Sequence, residues 1–270
     1  MDSEITSRSY HFLNFLPQVG NLLIEKHLTP NLEVSEKSLY NLVTAADLAA
    51  EKMVIEEIEK NFPSDGFLSE EFGEKAGVSG YRWIIDPLDG TTNYAHGLPL
   101  YGVSIGLEEE DSKLPVLGMV LFPELGPIYH ATKGNGAFRD KTRISVSKKT
   151  SMKDSLFCTG FPYDRNNSLD VLMTYYKSIL SKSRGIRRTG AATLDLCWVA
   201  DGKFDGYYEL GLKPWDMAAA GLIVQEAGGR LTTMDGNDFN LYTPSLLATN
   251  GLLHEFMLNE FEEQINRVVY

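Results

Sequence analysis

The sequence predicts an α+β protein with an antiparallel sheet in its N-terminal half and a mixed sheet in its C-terminal half. Strand-like apolar runs between residues 100 and 138 are joined by short turns, which is typical of an antiparallel meander. After residue 155, apolar strands alternate with helical patterns, which indicates a layered α/β unit. A polar and basic stretch over residues 141–152 separates the two, so we predict one domain over residues 1–145 and a second over residues 146–270.

The start of the chain predicts two helices and a connector between them. Apolar side chains at helical spacing predict a helix over residues 3–28, with a kink or a break at Pro17. Residues 31–40 are polar and predict a connector, and a second helix follows and ends near residues 61–63. Asp47 lies early in this second helix, where its simplest role is to interact with the positive end of the helix dipole.

The stretch over residues 81–97 is the centre of the predicted site. Its first part, residues 83–85, is rich in β-branched and aromatic side chains and predicts a buried strand. This strand should end within the segment Asp86-Pro87-Leu88-Asp89-Gly90, because Pro87 cannot donate to a sheet ladder and keeps Asp86 out of the helical conformation. Gly90 allows backbone dihedrals that other residues resist, and the residues after it suit a helix start or a turn.

Asp86 and Asp89 therefore place two carboxylates at a strand end, in front of backbone N–H groups. Carboxylates bind a hard cation such as Mg²⁺, and N–H groups at a helix start bind a phosphate, so the sequence predicts a metal-dependent phosphate site. Glu70 is a candidate for the same metal, because residues 67–74 predict a short strand that breaks into an acidic turn close to the next strand. The alternative for Glu70 is an acidic loop that faces solvent.

The remaining elements follow in order, and one of them carries a further acidic residue. In the first half we predict strands over residues 100–107, 114–122, 128–132 and 136–138. In the second half we predict strands over residues 155–160, 186–188, 206–209 and 246–249, and helices over residues 169–180, 191–200, 215–227 and 254–269. Asp216 is either the N-cap of its helix or a metal ligand from the second domain. The small residues 218–221 would let this helix pack closely against a sheet.

The composition limits the function classes. A formal net charge of −12 and a pI of about 4.9 argue against a nucleic-acid binder and against attraction to an anionic membrane. An anionic substrate remains compatible, because bound divalent cations can invert the local field. No run of 18 apolar residues and no signal-peptide pattern is found in the sequence, so we predict a cytoplasmic protein. Cys158 and Cys197 are far apart and predict two buried thiols.

Three motifs together resemble the inositol monophosphatase family, within the Mg²⁺-dependent, lithium-sensitive sugar phosphatases. They are Glu70-Glu71, then Trp-Ile-Ile-Asp-Pro-Leu-Asp-Gly-Thr-Thr-Asn-Tyr-Ala-His from Trp83, then Trp-Asp-Met-Ala-Ala-Ala-Gly from Trp215 with Glu-Ala-Gly-Gly from Glu226. The resemblance implies a layered α-β-α-β-α sandwich of the inositol monophosphatase and fructose-1,6-bisphosphatase type. It also implies two or three Mg²⁺ ions per site, hydrolysis of a phosphate monoester, inhibition by Li⁺ and a homodimer.

The resemblance also assigns roles to individual residues of this chain. It makes Glu70, Asp86 and the carbonyl of Leu88 the ligands of a first metal, and Asp86, Asp89 and Asp216 those of a second. The predicted catalytic residues are Glu70, Thr91 and Asp47, the last two as the pair that orients the attacking water. The predicted substrate-binding residues are Asp89, Gly90, Thr91, Ala192, Glu209 and Asp216.

The predicted substrate is a small phosphorylated polyol, with inositol 1-phosphate preferred. Thr92-Asn93 looks like the inositol monophosphatase branch, although histidinol-phosphatase and NADP-phosphatase activities stay open. Arg187, Arg188 and Lys213 could hold a second phosphate, so fructose-1,6-bisphosphatase activity also stays open. A hypothesis from another class is a regulatory protein that keeps the fold and binds a partner. The intact set of four acidic residues argues for catalysis.

Overall fold

The computed structural model describes residues 3–28, 34–38, 41–163 and 169–268, and its elements divide between two halves of the chain. The helices of the first half are α1 (Ser3–His27), α2 (Ala45–Asn61) and α3 (Thr91–Ala95). Its strands are β1 (Val34–Ser38), β2 (Asn41–Thr44), β3 (Gly66–Ser69), β4 (Gly73–Lys75), β5 (Tyr81–Asp89), β6 (Gly102–Glu109), β7 (Leu114–Leu121), β8 (Ile128–Thr132), β9 (Ala137–Arg139) and β10 (Thr142–Arg143). The second half contains β11 (Leu156–Thr159), α4 (Leu169–Lys182), β12 (Gly185–Arg187), α5 (Ala192–Ala200), β13 (Gly206–Leu210), α6 (Pro214–Glu226), β14 (Arg230–Thr232), β15 (Ser245–Thr249) and α7 (His254–Val268).

The strands form two large sheets and one hairpin. The first sheet has eight strands in the order β10-β9-β8-β7-β6-β5-β3-β4, and the second has five in the order β12-β11-β13-β15-β14. β1 and β2 pair as a separate antiparallel hairpin. The first sheet is antiparallel as predicted, except that β3 runs parallel to β5. The second sheet is mixed, because β11 pairs in parallel with β12 and β13 while β15 pairs antiparallel with β13 and β14.

The elements stack as five layers, which confirms the predicted α-β-α-β-α sandwich. Alternating residues of β5 point to opposite faces of the first sheet, as a pleated strand requires. Trp83 and Ile85 pack with α1 and α2, whereas Ile84 packs with α5 and α6 in the middle layer. In the second sheet Tyr207 faces the same middle layer, and Tyr208 faces α4 and α7. The proposed division into domains at residues 145 and 146 stays a prediction, and one buried cluster draws side chains from both halves.

Two local features differ from the predictions, and several short strands were not predicted. Pro17 lies inside α1, and the helix does not break there because buried side chains such as Phe12 and Leu16 hold it against the sheet; the alternative, a kink at Pro17, stays a prediction. The predicted polar connector over residues 31–40 contains β1, and residues 31–33 and 39–40 lie outside the described ranges. A strand in a hairpin outside both large sheets need not alternate apolar and polar residues, so the polar composition of this stretch did not indicate a strand. β5 ends at Asp89, within the segment predicted to end it, whereas the short strands β2, β4, β10 and β14 were not predicted.

The helix α6 lies directly against the first sheet, as its small residues predicted. A Cβ atom added to Gly106 of β6 would stand 2.8 Å from the Cβ atom of Ala218. A Cβ atom added to Gly118 of β7 would stand 2.5 Å from the carbonyl oxygen of Ala219. Backbone therefore approaches backbone at this crossing, and any larger side chain at these strand positions would push the helix away.

Both cysteines are free and buried, as predicted. None of the helices in the described ranges is long and apolar enough to cross a membrane. The predicted cytoplasmic location stays a prediction.

We expect Gly118→Ala to lower the free energy of unfolding by about 1–3 kcal/mol or more, because the new methyl group meets backbone that cannot rotate away. Gly221→Ala on α6 is the matched control. Its Cβ atom would meet only side-chain atoms, Leu231 Cδ2 at 3.2 Å and Phe239 Cζ at 3.4 Å, and it gains helix propensity, so its change should stay within about 1 kcal/mol. Urea denaturation measures both. Equal stabilities for the two variants would contradict this account of the crossing.

Candidate active site

A cavity between the two halves collects almost all of the predicted site residues. Nine of the predicted residues line it, and Asp47 lies behind them. The nine are Glu70, Asp86, Leu88, Asp89, Gly90, Thr91, Ala192, Glu209 and Asp216. Their assigned roles stay predictions, and their places in the fold explain how they meet.

Asp86 and Asp89 lie on either side of an irregularity in β5. The register of β5 against β6 shifts between these two residues, so the strand bulges where Pro87 cannot donate to the ladder. Asp86 is 2% exposed, and its Oδ1 atom accepts a hydrogen bond from the backbone N–H of Leu88 at 3.0 Å. The bulge allows both carboxylates to line the cavity, although they are three positions apart along a strand.

Gly90 ends this segment in the left-handed conformation, one of those that glycine allows. Its φ angle is 89°, and a Cβ atom there would stand 2.8 Å from the carbonyl oxygen of Leu100. Both observations exclude a larger residue, and the backbone turns at this point from β5 into α3.

Asp89 connects the first half of the chain to the start of α5 in the second half. Its carboxylate accepts hydrogen bonds from the N–H of Ala192 at 3.2 Å and from the N–H and hydroxyl of Thr193 at 2.7 and 2.5 Å. An acidic group in front of a helix start is favourable, because the first N–H groups of a helix lack partners within it. Asp89 is therefore held by both halves of the molecule.

Asp216 reaches the cavity from the third position of α6. Lys213 is the N-cap of this helix, and Asp216 accepts a hydrogen bond from the N–H of Lys213 at 2.7 Å. The expectation that Asp216 is itself the N-cap was wrong by this offset, because Pro214 suits the first helical position and starts the helix earlier.

Glu70 reaches the same edge through the parallel pairing of β3 with β5. Ser69 lies opposite Ile85 in the register, and the N–H of Glu70 donates to the carbonyl oxygen of Ile85 at 3.3 Å. Glu70 and Asp86 are therefore the residues that follow two paired positions on neighbouring strands. The prediction that both lie at one edge of a sheet is confirmed.

The carboxylates of the cavity are costly to ionise in the absence of positive charge. Burial raises the pKa of Asp86 well above its usual range, and the negative charges of Glu70, Asp89 and Asp216 raise it further. Burial also raises the pKa of Asp89 to about 6, although the hydrogen bonds from Thr193 oppose this rise. Burial and the charge of Asp89 raise the pKa of Asp216 well above its usual range. Among the described residues, no lysine or arginine forms an ion pair with Asp86, Asp89 or Asp216.

This donor set fits a hard divalent cation in its chemistry. The predicted ligands are carboxylate oxygens and a carbonyl, with neither histidine nor cysteine in the set, and Mg²⁺ prefers such oxygen ligands. Across the part of the chain that the structure describes, no three acidic, histidine or cysteine side chains already stand at the spacing of a metal shell. Asp86, Asp89 and Asp216 instead accept backbone N–H groups, which is what mutually repelling carboxylates do when only such donors are within reach.

Asp47 and Thr91 form a hydrogen-bonded pair behind the acidic residues. Asp47 is fully buried, and its Oδ1 atom accepts from the hydroxyl of Thr91 at 3.0 Å, while its Oδ2 atom accepts from the N–H and hydroxyl of Thr44 at 2.9 and 2.5 Å. The Thr91 hydroxyl also lies 3.0 Å from the carbonyl oxygen of Leu88. Asp47 thus completes a capping box with Thr44 and also fixes Thr91, so both of its expected roles are compatible.

Glu209 lies on the side of the cavity that belongs to the second sheet. It accepts a hydrogen bond from the hydroxyl of Tyr207, and burial raises the pKa of Glu209 to about 7. A Cβ atom at Gly160 would stand 1.9 Å from Glu209 Oε2, so only glycine at position 160 leaves room for this carboxylate.

Three candidate functional residues were not predicted from the sequence, although two of them have a sequence feature that could have indicated a role. Asp195 lines the cavity, is 2% exposed, and has one oxygen without a hydrogen-bond partner in the described residues. An acidic residue inside the otherwise apolar helix α5 was its signal. Glu51 is fully buried four residues after Asp47, which places both on one face of α2. The contact of Thr193 with Asp89 joins two distant segments and left no local signal.

The predicted basic residues separate into two groups. Arg188 and Lys213 line the cavity. Arg187 is exposed and does not line the cavity, and its guanidinium donates to the carbonyl oxygen of Ile186 at 3.0 Å. Arg187 is the last residue of β12, and Arg188 follows it in the connection to α5 beside the cavity.

Comparison with known proteins gives consistent matches. A sequence profile of the inositol monophosphatase family matches residues 14–266. The chain is 42% identical over 236 residues to the chloroplastic phosphatase IMPL1 of Arabidopsis thaliana, covering 83% of this chain and 62% of that relative. It is 40% identical over 220 residues to the putative Nus factor SuhB of Neisseria meningitidis, covering 81% of this chain and 84% of the relative. It is 37% identical over 225 residues to a fructose-1,6-bisphosphatase/inositol-1-monophosphatase of Aquifex aeolicus, covering 83% of each.

Comparison of the structure with solved structures indicates the same family as comparison of the sequence. The structure of inositol monophosphatase from Anabaena superposes on this chain with a TM-score of 0.86 at 34% identity, covering 97% of both chains. The profile match extends through both halves, from α1 to α7. This chain therefore belongs to the inositol monophosphatase family, a family of phosphatases.

Proposed function

We propose that this protein is a Mg²⁺-dependent phosphatase that hydrolyses inositol 1-phosphate, or a similar phosphate monoester of a small polyol, to the alcohol and phosphate. The observation that carries this proposal is the convergence of Glu70, Asp86, Asp89 and Asp216 on one cavity, where burial and mutual repulsion raise the pKa of three of them. Such a group is stable in its charged form only beside compensating positive charge.

In this proposal Glu70, Asp86 and the carbonyl oxygen of Leu88 hold one Mg²⁺ ion, and Asp86, Asp89 and Asp216 hold a second. A third ion near Glu70 belongs to the same proposal. Bound Mg²⁺ supplies charge neutralisation of the phosphate and of the leaving alkoxide, and it lowers the pKa of a bound water molecule.

The chain itself supplies the groups that orient water and phosphate. The Thr91 hydroxyl has one hydrogen atom and two acceptors, Asp47 and Leu88, within 3.0 Å, so its lone pairs remain able to accept a hydrogen bond from water. Asp47 cannot move, because it is buried and also bound to Thr44. We propose that this pair fixes the direction of the attacking water, and that the N–H groups of Gly90 and Thr91 bind the phosphate.

The alcohol part of the substrate meets the second half of the chain. Glu209 and the first residue of α5, Ala192, line that side of the cavity. Glu209 is half-buried, and a carboxylate in such a place accepts hydrogen bonds from substrate hydroxyl groups with less competition from water than an exposed one. This arrangement supports a polyol substrate.

A second candidate function is hydrolysis of a bisphosphate such as fructose 1,6-bisphosphate. Arg188 and Lys213 are exposed residues that line the same cavity, where a second phosphate could meet them. The relative from Aquifex aeolicus carries both activities in its name. The predicted homodimer and inhibition by Li⁺ stay predictions.

Removal of one metal ligand tests the metal-dependent mechanism. We expect Asp89→Asn to lower the kcat for inositol 1-phosphate by about three orders of magnitude, because the loss of several kcal/mol of charge stabilisation corresponds to that factor. EDTA should abolish the wild-type activity, and Mg²⁺ should restore it. Asp111→Asn, at an exposed position, is the control and should keep full activity. Phosphate release that survives EDTA and Asp89→Asn would reject the enzyme and favour a partner-binding protein.

Asp47→Asn tests the pair that orients water. We expect kcat to fall by about 10²–10⁴-fold with little change in KM, because the pair acts on the attacking water and leaves the phosphate contacts intact. Steady-state kinetics with inositol 1-phosphate measure this, and Thr142→Ala at an exposed hydroxyl is the control. A rise in KM at constant kcat would assign Asp47 to substrate binding instead.

Glu209→Ala tests the choice of substrate. We expect the KM for inositol 1-phosphate to rise about tenfold or more, because one hydrogen bond to a charged group contributes about 1.5–3 kcal/mol. Hydrolysis of p-nitrophenyl phosphate, which has no hydroxyl groups on its ring, should stay unchanged. Glu110→Ala at the surface serves as control. Preference of the wild type for fructose 1,6-bisphosphate, histidinol phosphate or NADP in the same assay would overturn the inositol assignment.

A further inference from the structure

Glu51 is a fully buried carboxylate that none of the assigned roles uses. It lies on α2 one helical turn after Asp47 and is 0% exposed. No lysine or arginine of the described residues forms an ion pair with it. Burial raises the pKa of Glu51, and the nearby charge of Glu70 adds to the rise. A charged group in such a place needs strong hydrogen-bond donors.

Two of the donors are backbone N–H groups of the turn that follows β3, and the side chain of Ser69 also hydrogen-bonds Glu51. The N–H of Glu71 lies 3.2 and 3.0 Å from the two oxygens of Glu51, and the N–H of Phe72 lies 2.6 Å from Oε1. The carboxylate therefore bridges two consecutive N–H groups, and both of its oxygens are engaged. Hydrogen bonds from N–H groups to a carboxylate are among the stronger ones in proteins.

The turn does not need Glu51 merely to satisfy its backbone. Phe72 is 55% exposed and Glu71 is half-buried, so water could solvate their N–H groups. Burying the negative charge of Glu51 close to Glu70 costs more free energy than leaving these two N–H groups to water. Its benefit is geometric, because a rigid helix fixes a turn that would otherwise face solvent.

The residue that this turn carries into the cavity is Glu70. On one side, its own N–H is tied to Ile85 of β5 at 3.3 Å. On the other side, the next two N–H groups are tied to Glu51. The backbone at Glu70 is therefore fixed from both sides, by a strand and by a helix, just where its side chain reaches the other carboxylates.

We propose that Glu51 is a positioning residue, which clamps the turn after β3 and thereby holds Glu70 in place to bind Mg²⁺. This inference rests on the proposed function of Glu70 as a metal ligand. Helix α2 then serves the site with two carboxylates on one face: Asp47 fixes the residue that orients water, and Glu51 fixes the residue that binds metal.

Binding of Mg²⁺ to the metal-free protein, measured by calorimetry, tests the proposal directly. We expect Glu51→Gln to weaken Mg²⁺ binding by about 10–100-fold, because its amide presents an N–H₂ group toward the N–H groups of the turn. Glu56→Gln is the matched control, since it lies on the same helix and its side chain is 66% exposed. The activity of Glu51→Gln should recover partly at high Mg²⁺ with an unchanged KM for substrate, which a general folding defect would not produce.

Hydrogen–deuterium exchange of the metal-free protein tests the clamp without any metal. We expect faster exchange at the N–H groups of Glu71 and Phe72 in Glu51→Gln, and no change there in Glu56→Gln. This measurement separates the clamp from the proposed function. If the wild type binds no Mg²⁺, the proposed function fails and so does the metal-binding half of the inference, while the exchange data still decide whether Glu51 holds the turn.

Glu51→Asp is the second variant, because it keeps the charge and shortens the side chain by one methylene group. We expect it to fold, with circular dichroism like that of the wild type, and to bind Mg²⁺ with an affinity between those of the wild type and Glu51→Gln. Folded variants that bind Mg²⁺ within about threefold of the wild type would overturn the proposal. Failure of both variants to fold would also overturn it, since Glu51 would then be a residue of general stability.

Discussion

The contact between α6 and the first sheet is the constraint on which the site depends. Gly106 and Gly118 present no side chains, so the backbone of Ala218 and Ala219 lies directly on β6 and β7. Asp216 stands at the start of this same helix, and its distance from the acidic residues of β5 is set by that crossing. If a methyl group at either glycine displaced α6, Asp216 would move away from the acidic residues of β5. Packing in the middle layer therefore determines whether the acidic residues from the two halves of the chain lie around one cavity.

The site contains several carboxylates, and backbone N–H groups orient them through hydrogen bonds. Asp89 binds the start of α5, Asp216 binds the start of α6, and Asp86 binds within its own bulge. Each carboxylate is thus oriented before any cation arrives, while burial and repulsion keep its pKa raised. A bound cation would stabilise such an arrangement, and carboxylate and carbonyl donors favour hard metal ions such as Mg²⁺.

Much of the fold was predictable, because long apolar patterns survive any tertiary context. Six of the seven α-helices and most strands of the described ranges lie close to where the sequence pattern predicted them, and β8 matches its predicted bounds. The failures have local causes. β1 is a polar strand in a separate hairpin, and Asp216 lies at the third helical position because Pro214 starts the helix. In each case tertiary pairing or capping outweighed the residue preferences that the sequence displays.

The sequence by itself determined which chemical groups are available: carboxylates after strands, a glycine that allows unusual backbone dihedrals, and motifs that resemble one family of phosphatases. Residue type and short spacing are local properties, so they can be read without coordinates. Only the tertiary structure decided that Asp89 binds Thr193, that Arg188 lines the cavity while Arg187 does not, and that Glu51 holds the turn of Glu70. These facts follow from the register of strands and the crossing of a helix, which join residues that are distant along the chain.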